Sequence, residues 1–328
     1  FQGEHWMVLT ERENEILALL KKEPLLSQVE LSERLGISRS SLAVHISNLM
    51  KKGVVLGKGY VINQEASIVI FGESCMRINI NEYPQNKIDM HLGGFAVETA
   101  RALTELGAAG KIVTVIGKDV LGDHIIDELQ GTQIDVSGIS RYYGSRSSRV
   151  VYINGALSFQ EGIARTEYEK AADAWEWVIM NSDWLLIDSR LPEDIYTRMV
   201  SKNEERMQLT GTCIYIAQGM DIPRHCTRAS LLVIGREFSE NIDYLSRKML
   251  DLVKNGQKRC VITDGQTRLI YMDPENYIEY PLMPNQSFAI NERLPFLLAG
   301  MVYGLTRQYP VRQAVRIAVG TASTTEGS

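Results

Sequence analysis

Long apolar runs, paired cysteines and a signal peptide are the features that this sequence lacks. No stretch approaches the roughly 18 consecutive apolar residues of a membrane-spanning helix, and no secretory pattern is present. We therefore expect a soluble, cytoplasmic protein without membrane contact. The four cysteines are scattered without paired spacing, which argues against a disulfide framework and against a zinc site. They are Cys75, Cys213, Cys226 and Cys260.

A large excess of positive charge is also absent. The chain of 328 residues has 35 Lys and Arg against 40 Asp and Glu, a net charge of −5. Residues 7–62 nevertheless contain eight basic and six acidic side chains, whereas residues 63–328 contain 27 and 33. This mild asymmetry favours the N-terminal segment for any contact with nucleic acid.

Three helix signals follow one another near the N-terminus. Thr10 followed by Glu13 is a capping-box pattern that begins a first helix, and Ser27 followed by Glu30 begins a second. Gly36 then predicts a tight turn into a third helix over residues 38–51, which completes a helix-turn-helix. Residues 53–62 predict a two-stranded wing. We place this α+β winged helix-turn-helix domain at residues 7–62.

The third helix has a polar face suited to DNA. Leu42, Ile46 and Leu49 are spaced to be buried together, which leaves short polar and basic side chains on the opposite face. We expect contacts with double-stranded DNA from this face and from the wing. The candidate residues are Ser38, Arg39, Ser40, Ser41, His45, Asn48, Lys51, Lys52 and Lys58. The alternatives are a helical bundle used only for dimerisation and a wing that packs on the neighbouring domain.

The remainder of the chain has the pattern of an α/β domain. Residues 68–72 predict a buried strand ending in glycine, and alternating strands and helices follow to about residue 323, which is typical of a parallel sheet covered on both faces. Glycine motifs occur in order at Gly93-Gly94 and within residues 113–122, 131–138, 260–265 and 299–305. In this order and spacing, residues 66–323 resemble the ribokinase-like (PfkB) carbohydrate kinase family.

That resemblance implies a ribokinase-like parallel sheet with helices on both faces and a small β lid over a ligand cleft. Residues 76–80, 89–92 and 149–153 are candidates for the lid strands. Within the family, the pseudouridine and nucleoside kinases that carry an N-terminal helix-turn-helix look most similar.

The catalytic motif of the family looks lost. Its members carry Gly-Ala-Gly-Asp at a helix N-terminus, where backbone N–H groups hold the transferring phosphoryl group and the Asp accepts a proton. Alignment on Ala299-Gly300 puts Pro295, which has neither a carboxylate nor an N–H group, at the position of that Asp. Glu292 would place negative charge beside the phosphates, although a second alignment with a short insertion offers Glu292 as a substitute base.

The positions that bind substrate and metal in the family also differ here. Arg77 aligns with an acidic substrate ligand, Glu98 aligns with the Asn that follows the double glycine, and residues 236–239 replace an Asn-x-x-Glu pattern, which leaves Glu237 and Glu240 nearby. We predict no metal site. The candidate ligand-binding residues are Arg77, Gly93, Gly94, Glu98, Gly265 and Arg293.

Three functions compete at this point. The first is a homodimeric transcriptional regulator whose degenerate kinase domain senses a sugar, a nucleoside or, through Arg77 and Arg293, a sugar phosphate. The second is an active sugar or nucleoside kinase that uses ATP and Mg²⁺. The third is a body that only pairs two DNA-binding modules. Phosphate transfer would identify the second, and a ligand-dependent DNA affinity would separate the first from the third.

Overall fold

The protein is described by a computed structural model, in which the chain forms two compact units, Phe1–Glu65 and Ala66–Ser328. The structure describes residues 10–22, 26–51, 55–56, 61–62, 67–81, 86–130, 132, 134–154, 156–205, 209–217, 220–236, 242–254 and 256–324. None of the helices in these ranges is long and apolar enough to cross a membrane.

The N-terminal unit has the predicted winged helix-turn-helix arrangement. Its elements are α1 (Glu11–Lys22), α2 (Gln28–Leu35), α3 (Arg39–Lys51), β1 (Val55–Leu56) and β2 (Val61–Ile62). Strands β1 and β2 pair antiparallel as the wing. Helices α1 and α2 both begin at the predicted capping boxes, since Thr10 and Glu13 exchange backbone-to-side-chain hydrogen bonds and Ser27 and Glu30 do the same.

The turn between α2 and α3 depends on Gly36. This residue has a φ of 62°, in the left-handed region, and its N–H closes the last turn of α2. The three helices then bury a small apolar core that includes the predicted Leu42, Ile46 and Leu49. Helix α3 is thereby held with its polar face away from that core.

The second unit is built on a nine-stranded sheet with the order β15-β14-β13-β12-β11-β10-β3-β6-β7. The strands from β13 to β7 in this order run parallel, and β14 and β15 add an antiparallel edge. The strands are β3 (Ile68–Phe71), β6 (Gly110–Gly117), β7 (Asp135–Tyr142), β10 (Trp184–Ile187), β11 (Leu209–Ile216), β12 (Leu231–Arg236), β13 (Arg259–Thr263), β14 (Arg268–Met272) and β15 (Tyr277–Pro281).

Helices cover both faces of this sheet, as predicted. They are α4 (Phe95–Glu105), α5 (Val120–Gln130), α6 (Arg165–Met180), α7 (Glu193–Glu205), α8 (Ile242–Lys254), α9 (Ile290–Thr306) and α10 (Val311–Ser323). Strand β3 shows why the strands are apolar throughout: Ile68 and Ile70 pack under α4, α9 and α10, while Val69 and Phe71 pack under α6 and α7.

A separate four-stranded sheet forms the predicted lid, in the order β5-β4-β8-β9. Its strands are β4 (Cys75–Asn81), β5 (Lys87–Gly93), β8 (Ser148–Ile153) and β9 (Ala156–Glu161). The first three contain the predicted lid segments. Strand β9 was not predicted, because its residues are mostly exposed and its sequence has no strong β pattern.

Side-chain alternation gives the lid two different faces. The register pairs Arg77 with His91 and with Val150, so these residues share one face. The opposite face is apolar and is here called the lid face. It consists of Ile78, Ile80, Ile88, Met90, Val151, Ile153 and Phe159, which are joined by the same pairing.

Candidate functional site

A cavity of about 340 Å³ lies between the lid and the N-terminal ends of α4 and α9. The lid contributes Arg77, His91 and Leu92, and α4 contributes Glu98 and Arg101. The start of α9 and the end of α10 complete the lining with Ser287, Phe288, Ala289, Glu292, Arg293, Phe296, Ala322 and Ser323. Four of the predicted ligand or catalytic residues, Arg77, Glu98, Glu292 and Arg293, therefore meet at one cavity.

A buried ion pair joins the lid to the body inside this cavity. The guanidinium of Arg77 on β4 lies 3.3 Å from a carboxylate oxygen of Glu98 on α4. Both residues are buried, with 7% and 6% of their surface exposed. The pair packs directly on Gly93, because a Cβ built on this glycine would lie 3.1 Å from Glu98 Oε1 and 3.6 Å from Arg77.

This pair is held by mutual attraction against the cost of burial. Burial raises the pKa of Glu98, and the nearby guanidinium of Arg77 opposes the rise. Burial acts to lower the pKa of Arg77, but the charge of Glu98 and of its neighbours outweighs it, so that pKa is raised. The two departures from the family pattern are therefore one linked feature: an acidic and a basic side chain that satisfy each other over the double glycine.

Helix α9 begins just before the residues that the two alignments compare with the catalytic motif of the family. Its first residue is Ile290 and its N-cap is Ala289, which makes no side-chain capping bond. Glu292 occupies the first turn and lines the cavity. Pro295, which alignment on Ala299-Gly300 puts at the position of the family's Asp, is buried in the second turn. The role of Glu292 as a substitute base, which the second alignment offers, stays a prediction.

Contacts with the β13–β14 turn hold the first residues of α9 in place. The N–H of Phe288 donates to the carbonyl of Gly265 at 2.8 Å, and a Cβ on Gly265 would lie 2.4 Å from Ile290 Cγ2. Gly265 is not among the residues that line this cavity, and its role in ligand binding stays a prediction beside this packing role. Gly94 is similarly tight, since a Cβ there would lie 2.5 Å from the carbonyl oxygen of Glu73.

Arg293 lines the cavity, and its side chain hydrogen-bonds to the end of the neighbouring helix α10. Its guanidinium donates to the carbonyls of Thr321 and Ala322 in the last turn of α10 and of Thr324, the C-cap of that helix, at 2.5–3.1 Å. The same group lies 3.5 Å from the ring centre of Phe296. Arg293 therefore caps the C-terminus of α10, and its contact with an anionic ligand stays a prediction.

A second charged cluster, which was not predicted, lies where the chain enters the first strand of the lid, β4. Glu73 follows β3 and Asp188 follows β10, and the Glu73 N–H donates to Asp188 Oδ2 at 3.2 Å. Arg190 contacts both carboxylates, at 3.2 Å and 3.5 Å. Burial raises the pKa of Glu73, and Arg190 opposes the rise. Sequence order gave no signal for this cluster, because parallel pairing of β3 with β10 brings distant residues together.

The predicted DNA-contact residues on α3 are partly exposed. Arg39, Ser40 and Ser41 are exposed, and His45 and Asn48 are half-buried. Ser38 also caps the helix, since the Ser41 N–H donates to Ser38 Oγ at 3.1 Å. Lys51 ends the helix. Lys52 and Lys58 lie outside the described residues.

In the predicted metal-organising segment, Arg236 ends β12, and Glu237 and Glu240 lie outside the described residues. Elsewhere in the described part of the chain, no group of three or more His, Cys, Asp or Glu side chains is placed to hold a metal ion.

A winged helix-turn-helix followed by a lidded α/β domain with this strand order defines a two-domain protein with a kinase-like body. Residues 9–55 match the model of the winged helix-turn-helix DNA-binding family, and residues 65–219 match that of the pfkB family carbohydrate kinases. The chain therefore combines a segment similar to winged helix-turn-helix DNA-binding domains with a segment similar to the pfkB family carbohydrate kinases.

One curated protein is similar to part of this chain. A segment of 153 residues is 35% identical to the uncharacterized sugar kinase YeiI of Escherichia coli, and the match covers 44% of this chain and 42% of that protein. The chain thus matches less than half the length of this curated relative.

Solved structures show the same fold at low identity. A ribokinase of Arabidopsis thaliana complexed with ribose and ATP has a TM-score of 0.64 at 15% identity, with 79% of this chain and 91% of that chain covered. A nucleoside kinase of Burkholderia thailandensis in complex with inosine has a TM-score of 0.62 at 11% identity, with 78% and 90% covered.

Proposed function

We propose that this protein is a DNA-binding transcriptional regulator whose kinase-like domain pairs two copies and senses a small effector. The observation that carries the proposal is the buried Arg77–Glu98 ion pair, which packs on Gly93 where the family resemblance places substrate. In the family, as the resemblance implies, these two positions hold groups that bind the substrate. Here the two side chains form an ion pair with each other at the wall of the cavity.

The N-terminal unit supports the DNA-binding half of the proposal. Helix-turn-helix proteins place the second helix of the motif in the major groove, with its N-terminal residues near base edges. The N-terminal turn of α3 offers exposed Arg39, Ser40 and Ser41, which can donate to bases and phosphates. Val44 is 59% exposed on the same helix and can contact a thymine methyl group.

The lid face supports homodimerisation. Ile88, Met90 and Phe159 expose 64%, 63% and 52% of their surface. Large apolar side chains that are exposed side by side on a sheet mark an interaction surface. A second copy of the chain presents the same face, and a two-fold pair of modules would read two half-sites and make more phosphate contacts than one module.

The cavity supports an effector. Its volume of about 340 Å³ suits a small molecule, and its lining combines Phe288 and Phe296 with charged groups. A sugar or a nucleoside fits this combination of apolar and polar groups. Such a regulator needs neither ATP nor Mg²⁺.

DNA selection tests this proposal. The full chain is mixed with a random-sequence duplex library, and bound duplexes are sequenced and then titrated by fluorescence anisotropy. We expect an enriched site, with Arg39→Ala weakening binding and lowering the salt slope by about one. Arg12→Ala, which removes an exposed, ion-paired arginine from α1, is the matched control and should change little. Failure to enrich any sequence would refute the regulator function.

A second candidate function is an active kinase, and the position of Glu292 favours it. Glu292 lies in the first turn of α9 and lines the cavity, where a general base would stand. Such a kinase would require ATP and Mg²⁺. Transfer of ³²P from ATP to a sugar or nucleoside, abolished in Glu292→Gln, would establish it and displace the regulator proposal.

A further inference from the structure

The three arginines that line the cavity are each engaged by the protein itself. Arg77 faces Glu98 at 3.3 Å, and Arg101 donates to Glu128 at 2.9 Å. Arg293 donates to the carbonyls at the end of α10. An anionic ligand would therefore have to compete with existing partners for every one of these cations.

The carboxylate of Glu292 differs from these groups. In the described part of the chain it makes no hydrogen bond and no ion pair. It nevertheless lies close enough for its negative charge to act to raise the pKa of Arg77 and that of Glu98. It stands in the first turn of α9, whose N-cap Ala289 provides no side-chain acceptor. The positive end of the helix thus already has a negative charge beside it.

Arg77 nevertheless has a buried hydrogen-bond donor that a polar ligand could engage. Its Nε has no hydrogen-bond partner among the described residues, and the residue is 7% exposed. A buried donor without an acceptor is unfavourable, so an acceptor oxygen brought by a ligand would stabilise the site. A hydroxyl group can accept from Arg77 and donate to Glu292 at the same time.

We propose that Glu292 is a specificity-determining residue that excludes phosphate and phosphorylated molecules from this cavity and leaves it selective for uncharged, hydroxyl-bearing ligands. The inference rests on the effector-sensing part of the proposed function and narrows the ligand class. A phosphate at the start of α9 would lie beside this carboxylate, and like charges at short range in a partly buried site repel strongly. On this inference, the sugar phosphates that the sequence analysis considered as effectors do not bind in the cavity.

Inorganic phosphate and ribose 5-phosphate are the probes that test this inference. Each is titrated into the full-length protein at constant ionic strength, and binding is followed by calorimetry and thermal shift. The wild type should show no specific binding. Glu292→Gln, which keeps the shape and removes the charge, should bind both anions at least about tenfold more tightly than the upper limit that the titration sets for the wild type.

Glu105→Gln is the matched control, because Glu105 is exposed at the far end of α4 and its loss changes the net charge by the same amount. It should behave like the wild type. Glu292→Ala serves as a second variant in case the amide perturbs the helix, and near-ultraviolet circular dichroism checks the fold of each protein. Anion binding to the wild type, or folded Glu292 variants that gain none, would overturn the inference.

DNA affinity is measured separately on the same proteins without anions. If the anions bind the wild type while the DNA site is still recognised, the charge-selection inference fails and the regulator proposal stands. If the DNA site is not recognised, the regulator proposal fails whatever the anion result.

Discussion

At the scale of single residues, Arg77 and Glu98 change the chemistry of the site together. Each alone would leave a buried charge without a partner, which is strongly unfavourable. As a pair they form an internal contact between the lid and the body. Each of the two charged residues is therefore tolerated in this buried position only because the other is present.

Removing one partner should be more harmful on the Glu98 side. Glu98→Gln should lower the free energy of unfolding by about 3–5 kcal/mol, because the Arg77 guanidinium cannot lose its proton and stays buried without its partner. Arg77→Met should cost less, because Glu98 can take up a proton. Urea unfolding measures both. Equal losses in the two variants would contradict this account.

The Arg77→Met variant should also depend on pH. Burial already holds the pKa of Glu98 above its ordinary value of 4.5, and loss of Arg77 removes the group that opposes this rise. A folded-state pKa above the unfolded value means that stability falls as pH rises through the folded pKa and recovers as pH falls toward 4.5. Unfolding of this variant at a series of pH values checks the sign, and the double variant Arg77→Met, Glu98→Gln should lack the trend.

At the scale of elements, one arginine connects two helices that frame the cavity. Arg293 leaves the first turn of α9 and reaches the last carbonyls of α10, while its guanidinium stacks on Phe296. The end of α10 is thereby kept at the cavity wall, where Ala322 and Ser323 form part of the lining.

Loss of this cap should loosen the end of α10. Arg293→Gln should reduce stability by about 1–2 kcal/mol, since charge-assisted bonds to the carbonyls are lost. Hydrogen exchange should accelerate over residues 319–324. Arg312→Gln, at an exposed position near the start of the same helix, is the control. Unchanged exchange at the end of α10 in Arg293→Gln would show that the cap is not needed.

At the scale of the whole molecule, the lid has one face toward the ligand cavity and an opposite face that is apolar and partly exposed. The sheet alternation that places Arg77 at the cavity places Ile88, Met90 and Phe159 on the lid face. The proposed ligand contact and the proposed self-association therefore use opposite sides of one small sheet.

Lysines introduced on the lid face should dissociate the proposed homodimer. Ile88→Lys combined with Phe159→Lys should convert a dimer to a monomer and weaken DNA binding, because a buried charge at an apolar interface has no partner. Light scattering during size-exclusion chromatography measures the mass. Val120→Lys, at a position 86% exposed on α5 and outside the lid, is the control. A wild-type chain that is monomeric at every concentration would refute homodimerisation.

The amino-acid sequence by itself determined the features that depend on local order. The capping boxes at Thr10 and Ser27, the left-handed turn at Gly36 and the buried positions of α3 are set by residues a few positions apart, so pattern alone predicted them. The order of strands and helices likewise predicted the layered sheet, and the resemblance carried by the glycine motifs implied the lid.

Only the tertiary structure decided how the cavity is filled. Arg77 meets Glu98 because β4 pairs with β5 and the chain then turns into α4, and Arg293 meets α10 because two helices pack side by side. The start of α9 has no capping signal in the sequence, because Ala289 makes no side-chain capping bond, and Gly265 packs against Ile290 at this point instead. Contacts between residues that are distant in sequence leave no periodic pattern, and the chemistry of this site consists of such contacts.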